Sequence, residues 1–113
     1  MIAQRCASLV TAVAVGLICC VATPVSRADT PAPPQIVIKN FMFSPTSITV
    51  KAGSTITWIN QDQEPHTSVS VEGLFRSGAM DTNDSFSFKF DKPGTYHYLC
   101  SIHPQMMGTI VVQ

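Results

Sequence analysis

The sequence has little charge and no excess of either sign. Charged residues make up 12% of its 113 residues, and seven lysines and arginines balance seven aspartates and glutamates. It contains no basic cluster, internal repeat or charged low-complexity run. Proteins that bind nucleic acids need a basic surface to neutralise phosphates, so the composition argues against a nucleic-acid partner.

The N-terminal segment has the parts of a secretory signal peptide. Arg5 precedes an apolar stretch at residues 6–22, and the small-residue pattern SRA follows at residues 26–28. This pattern predicts a signal peptide over residues 1–28 with cleavage after Ala28. An uncleaved membrane anchor is the alternative, but polar side chains interrupt the stretch, and a bilayer needs ~20 apolar residues.

Cysteine is scarce in the part of the chain that remains after this cleavage. Residues 29–113 suffice for one small domain, and they carry five cationic and seven anionic side chains, a net charge of −2. Three of the four cysteines leave with the signal, so Cys100 has no intramolecular disulfide partner. Small exported domains usually rely on disulfides or a metal, because they bury only ~60% of their unfolded surface. The lone thiol therefore needs another role.

Helical periodicity is also missing from this part of the chain. No stretch of 11 or more residues keeps an apolar period of 3.6, whereas period-2 alternation is frequent, as in Ile36 and Ile38, Ile56 and Trp58, and the phenylalanines of residues 86–90. The pattern predicts an all-β fold of seven or eight short strands, an antiparallel sandwich or barrel. The irregular residues 72–83 are predicted to form a long surface connection.

The clearest chemical signal is the run CSIHPQM at residues 100–106. Cys100, His103 and Met106 offer a thiolate, an imidazole and a thioether at spacings of +3 and +6 between two predicted strands. This spacing lets the three side chains of one short loop converge on a point. The soft set favours copper over magnesium, calcium or manganese.

A second imidazole is needed, and two histidines remain. His97 lies within a predicted strand on the face opposite to Cys100, because side chains alternate along a strand. His66 follows Pro65 at the end of a polar turn and opens the next predicted strand, from which it can reach a neighbouring loop. The pattern favours His66 as the ligand.

Two other interpretations compete with a copper site. A free cysteine is often a small buried hydrophobic residue. The joint occurrence of Cys100 with His66, His103 and Met106 in an exported all-β chain argues against that role. Zinc also accepts sulfur and nitrogen ligands. A structural zinc site usually offers several cysteines, however, and a catalytic one keeps a water position open.

The chain resembles the cupredoxins, the type 1 blue copper proteins, and most closely their amicyanin and plastocyanin type. The resemblance extends over residues 36–112, and its most specific part is PGTYHYLCSIHPQM at residues 93–106. Shorter matching parts are VKAG at residues 50–53, WIN at residues 58–60 and PH at residues 65–66. The resemblance implies a cupredoxin-like Greek-key β-sandwich in residues 29–113 that holds one type 1 copper ion.

The resemblance also implies a ligand set. Its members take one histidine from the middle of the chain and three ligands from the last loop, which here are His66, Cys100, His103 and Met106. Met107 is an alternative axial ligand, although the spacing favours its neighbour. Thr67 stands where the family usually has an asparagine that links the two ligand loops, so the tuning of the copper is expected to differ.

The ligand set predicts electron transfer and not catalysis. A His₂Cys plane with a weak axial methionine suits both Cu(I) and Cu(II), and four protein ligands leave no position for a substrate. Copper storage or delivery is the alternative function, but carriers usually expose tracts of histidine or methionine that this sequence lacks. A copper enzyme such as a nitrite reductase would need a second copper centre and more chain.

Partners and location follow from the same resemblance. Amicyanin-like proteins are linked to a periplasmic amine dehydrogenase and a c-type cytochrome, which implies a periplasmic monomer with redox-protein partners and no membrane association after signal cleavage. His103 lies among Pro104, Met106 and Met107. Its ring edge is therefore the expected electron portal, within a small apolar docking surface.

Overall fold

The computed structural model describes residues 11–24 and 32–113. The predicted cleavage site after Ala28 lies outside the described residues. Residues 11–24 form neither helix nor strand, and their side chains are exposed. Within the described ranges, no helix has the length and apolar character required to cross a membrane.

Every regular element in the described part of the chain is a β-strand. The strands form two four-stranded sheets, ordered β2-β1-β4-β6 and β3-β8-β7-β5. Their bounds are β1 Gln35–Lys39, β2 Met42–Ser44, β3 Ser47–Val50, β4 Ser54–Asn60, β5 Val69–Ser70, β6 Ser85–Phe90, β7 Gly94–Leu99 and β8 Met107–Val112. The predicted all-β sandwich of seven to eight strands is confirmed.

The predicted antiparallel pairing is wrong for two strand pairs. β1 pairs with β4, and β3 with β8, in parallel. Both sheets are therefore mixed. Alternation of apolar residues identifies the buried face of a strand but carries no information on its direction, so the sequence pattern could not distinguish the two arrangements.

The strand predicted from His66 onward is shorter than expected. β5 contains only Val69 and Ser70, because the backbone of His66 exchanges two hydrogen bonds with Met80 (3.1 and 2.8 Å). The Ser77 amide likewise donates to the Ser68 carbonyl. Residues 66–68 are thus held by the long connection between β5 and β6, and not by a strand of the sheet.

An aromatic core fills the space between the sheets. Trp58 is fully buried, and its ring centroid lies 5.2 to 6.5 Å from those of four aromatic neighbours: Phe75, Phe86, Phe90 and Tyr98. Full burial of a large apolar side chain contributes about 1.5–3 kcal/mol. Phe75 and Met80 bring the β5–β6 connection into this core, so the residues that hold His66 are themselves anchored.

Candidate metal centre

Three side chains of ligand type meet where the β4–β5 and β7–β8 loops approach each other. Sγ of Cys100 lies 3.8 Å from Nδ1 of His66 and 3.8 Å from Nδ1 of His103, and these two nitrogens are 3.2 Å apart. The point equidistant from the three atoms is about 2.1 Å from each, within the ~2.0–2.3 Å typical of bonds from nitrogen and sulfur to a metal ion. The three atoms therefore fit around a single ion.

The loop between β7 and β8 is closed by its own backbone. The Cys100 amide donates to the Met106 carbonyl (3.1 Å), and the Met106 amide donates to the His103 carbonyl (2.9 Å). Cys100 is 0% exposed and Met106 3%, whereas His103 is half-buried. Met107 begins β8 and is 59% exposed. The loop thus places Met106 inside the protein and Met107 at the surface.

Asp62 fixes the orientation of the His66 ring. Nε2 of His66 lies 2.8 Å from Oδ2 of Asp62, so this nitrogen donates to the carboxylate and Nδ1 is directed at Cys100. Partial burial alone would raise the pKa of Asp62, but hydrogen bonds from the Phe41 and Asn40 amides and from His66 hold it below its ordinary value. Asp62 was not identified from the sequence.

Thr67 joins the two ligand loops. Its amide donates to Sγ of Cys100 (3.4 Å), and its hydroxyl lies 3.8 Å from the same sulfur. The Thr67 Oγ1 also accepts a hydrogen bond from the Ser101 amide (2.8 Å) and lies 2.8 Å from the Ser101 hydroxyl. Thr67 and Ser101 together link the two loops, at the position where the resemblance implies an asparagine.

His97 lies away from the three converging side chains. It is exposed in the middle of β7, and its Nδ1 is 3.3 Å from the hydroxyl of Thr109 on β8. Tyr98 and Cys100 are buried on the other side of the strand. The structure therefore places His66, and not His97, beside the cysteine.

The surroundings of Cys100 favour its thiolate. Burial raises the pKa of the thiol, but hydrogen bonds from the Thr67 amide, the His66 ring and the amides of the 100–106 loop outweigh this effect and lower the pKa to about 6. A thiolate is the form that binds a metal. The site is therefore prepared for a cation near neutral pH.

This pKa predicts how the metal-free protein responds to pH. The thiolate should form as the pH rises through about 6, which the ultraviolet absorbance of the thiolate would report. Because the folded pKa lies below the ordinary value of about 8.5, the contribution to stability is complete above that pH and is lost as the pH falls through the folded pKa. The thermal midpoint of the parent protein, measured relative to that of Cys100→Ser, should therefore decrease as the pH falls through about 6. A thiol that first ionises near pH 8.5 would contradict the prediction.

Fold and donor set together define a class. A β-sandwich with a thiolate and two imidazoles around a buried point is a metalloprotein of the copper type, because these soft donors suit copper. Comparison with known proteins specifies this class further.

The comparisons agree on one family. Residues 9–112 match the family model described as a Cupredoxin-like domain. Amicyanin from Paracoccus versutus is 32% identical over 96 residues, covering 80% of this chain and 73% of that protein. Plastocyanin from Scenedesmus fuscus is 41% identical over 85 residues, 64% of this chain and 87% of that protein. A Cu(I) structure of an amicyanin mutant has a TM-score of 0.69 and 30% identity over 72% of this chain and 82% of that one.

The chain belongs to the cupredoxin family. It is an electron-transfer copper protein and not an enzyme, and its cofactor is one type 1 copper ion, for which His66, Cys100 and His103 are arranged. The predictions of family, function and cofactor are confirmed.

Proposed function

We propose that His66, Cys100, His103 and Met106 hold the copper ion and that the protein passes single electrons between redox proteins of the periplasm. The triangle formed by Sγ and the two Nδ1 atoms carries this proposal. Copper, when bound, supplies the one-electron chemistry by alternating between Cu(I) and Cu(II). The protein contributes a fixed set of soft ligands that suits both oxidation states, so little has to move when an electron arrives.

Met106 would hold the copper ion as its fourth and weakest ligand. Its 3% exposure and the backbone bonds that tie it to Cys100 and His103 support this role. The 59% exposure of Met107 suits a surface contact instead. An axial thioether helps to set the reduction potential.

Burial of the ligands favours electron transfer over copper delivery. His66 and Cys100 are both 0% exposed, so an acceptor protein could not reach them to take the ion by ligand exchange. Electrons need only a short path to the surface, which the half-buried His103 provides. The proposed portal is this ring, together with two exposed apolar side chains close to it in the chain, Ile102 (48% exposed) and Met107.

The portal predicts a specific effect of charge at its edge. Met107→Lys should slow electron exchange with the redox partner by about tenfold or more, because a lysine placed in a small apolar contact must be desolvated or excluded. Stopped-flow kinetics with the partner would measure the exchange. The copper spectrum should stay unchanged if Met106 is the axial ligand, and a changed spectrum would assign that role to Met107.

Val71→Lys is the matched control for this variant. Val71 is 60% exposed, directly follows β5 and donates its amide to the His97 carbonyl, so the substitution adds the same charge at an equally exposed apolar position outside the ligand loops. The control should exchange electrons at the parental rate. Equal rates for the two lysine variants would rule out the portal.

We further propose that residues 1–28 direct export and that the mature protein works as a monomer with an amine dehydrogenase and a c-type cytochrome. The N-terminal pattern and the similarity to amicyanins support this assignment. Expression of the full chain in a Gram-negative host should yield a periplasmic protein with the mass of residues 29–113. A full-length chain in the membrane fraction would show that the segment is an anchor.

A further inference from the structure

The turn between β1 and β2 has an unusual backbone. Its two loop residues, Asn40 and Phe41, have φ angles of 52° and 57°. Two-residue hairpins with both φ angles positive typically contain Asn-Gly, because glycine adopts this conformation without steric cost. Asparagine is tolerated there, but a bulky aromatic residue is an outlier. The protein thus keeps a phenylalanine where glycine would relieve strain.

Asp62 holds this strained turn against the metal centre. Its carboxylate accepts hydrogen bonds from the amides of Asn40, through a contact of 2.6 Å, and Phe41, at 2.9 Å. The same carboxylate accepts the bond from Nε2 of His66 at 2.8 Å. One side chain therefore fixes both the backbone of the turn and the orientation of a ligand-type histidine.

The Phe41 ring lies over both imidazoles. It meets the His66 ring edge-on, with centroids 5.2 Å apart and planes at 88°, and the His103 ring likewise at 5.0 Å and 87°. Phe41 is itself 44% exposed. Phe41 thus contacts solvent on one side and two of the three converging side chains on the other, and a glycine at this position would remove both ring contacts.

We propose that Phe41 is a positioning residue that covers the copper centre on the side of the β1–β2 turn and limits the access of water to the His66 and His103 rings there. This inference rests on the proposed role of both histidines as ligands. Strained residues persist where the surrounding structure holds them for a function, and here the function is desolvation. The oxidised centre, with Cu(II) and one thiolate, carries one more positive charge than the reduced centre. A drier site therefore favours Cu(I) and raises the reduction potential, and it slows the escape of the ion.

Three variants test this proposed role of Phe41. Phe41→Gly removes the ring and relaxes the turn, Phe41→Tyr keeps a ring, and Asn40→Gly relaxes the neighbouring residue without touching either imidazole. In the copper-loaded protein, Phe41→Gly should lower the reduction potential and speed copper capture by a strong chelator about tenfold, the lower end of the effect typical of groups that support metal ligands. Phe41→Tyr and Asn40→Gly should both behave like the parent.

A measurement without copper separates this inference from the proposed function. In the metal-free protein, the NMR signals of the His66 and His103 ring protons should shift in Phe41→Gly, because they lose the ring current, and should stay in place in Asn40→Gly. The proposed role of Phe41 would be overturned if Phe41→Gly had the reduction potential and the rate of copper capture of the parent. It would also be overturned if Asn40→Gly changed both quantities as much as Phe41→Gly. A parent protein without a blue band would overturn the proposed function, and the NMR shifts would still decide whether Phe41 covers the two rings.

Discussion

Cys100→Ser is expected to abolish the intense blue absorption of the copper-loaded protein completely. That absorption arises from charge transfer between a thiolate and Cu(II), and a serine hydroxyl is neither soft nor ionised at neutral pH. Cys100 is fully buried between His66 and His103, so no other described thiol can replace it. Optical titration of the variant with Cu(II) would measure the loss.

Ser101→Ala is the control for this substitution. It removes a hydroxyl from the adjacent residue and leaves the three converging side chains in place, so the blue band should persist. Its position is expected to shift slightly, because the substitution removes the contact between the Ser101 and Thr67 hydroxyls, and the Thr67 amide donates to the Cys100 sulfur. A blue Cys100→Ser protein would contradict the assigned centre.

Gly108→Ala is expected to destabilise the fold by about 3 kcal/mol, the upper part of the range for overpacking a core. Gly108 lies opposite Tyr98 in the β7–β8 pair, and a Cβ there would fall far inside contact distance of the tyrosine ring. Tyr98 cannot move aside, because it is fully buried against Trp58 and Phe43. The thermal midpoint of the metal-free protein should fall by about 12–24 °C.

Gly78→Ala provides the comparison. Gly78 is exposed, its φ is not in the left-handed region, and an added Cβ would meet nothing within 4 Å. Its unfolding free energy should change by no more than about 0.5 kcal/mol. Equal thermal midpoints for Gly108→Ala and Gly78→Ala would disprove the close packing of Tyr98 on β8.

Much of the metal centre could be predicted because its signals are local. Cys100 and His103 lie in one short loop, and alternation along β7 separates His97 from Cys100. His66 could then be chosen as the second histidine, because it follows a polar turn and opens the next predicted strand. The positions of the strands could be predicted because the signal is again local: a few consecutive residues with period-2 alternation identify the buried face of each strand.

Contacts between distant segments could not be predicted in this way. Asp62 accepts hydrogen bonds from residues 21 and 22 positions earlier in the chain, and the parallel pairing of β1 with β4 joins strands that are separated in the chain by β2 and β3. The sequence signal for the turn was an Asn-Phe pair where Asn-Gly is usual. The reason for a phenylalanine at this position is apparent only from the structure, in which the Phe41 ring contacts the rings of His66 and His103.

The most direct test of the central claim is the optical and electron-spin spectrum of the copper-loaded protein, recorded through a cycle of reduction and reoxidation. We predict an intense blue thiolate band and a type 1 copper signal that both disappear with one electron per copper and return in full, without loss of the ion. A colourless protein that retains zinc in preference to copper, or one that loses copper on reduction, would contradict the account.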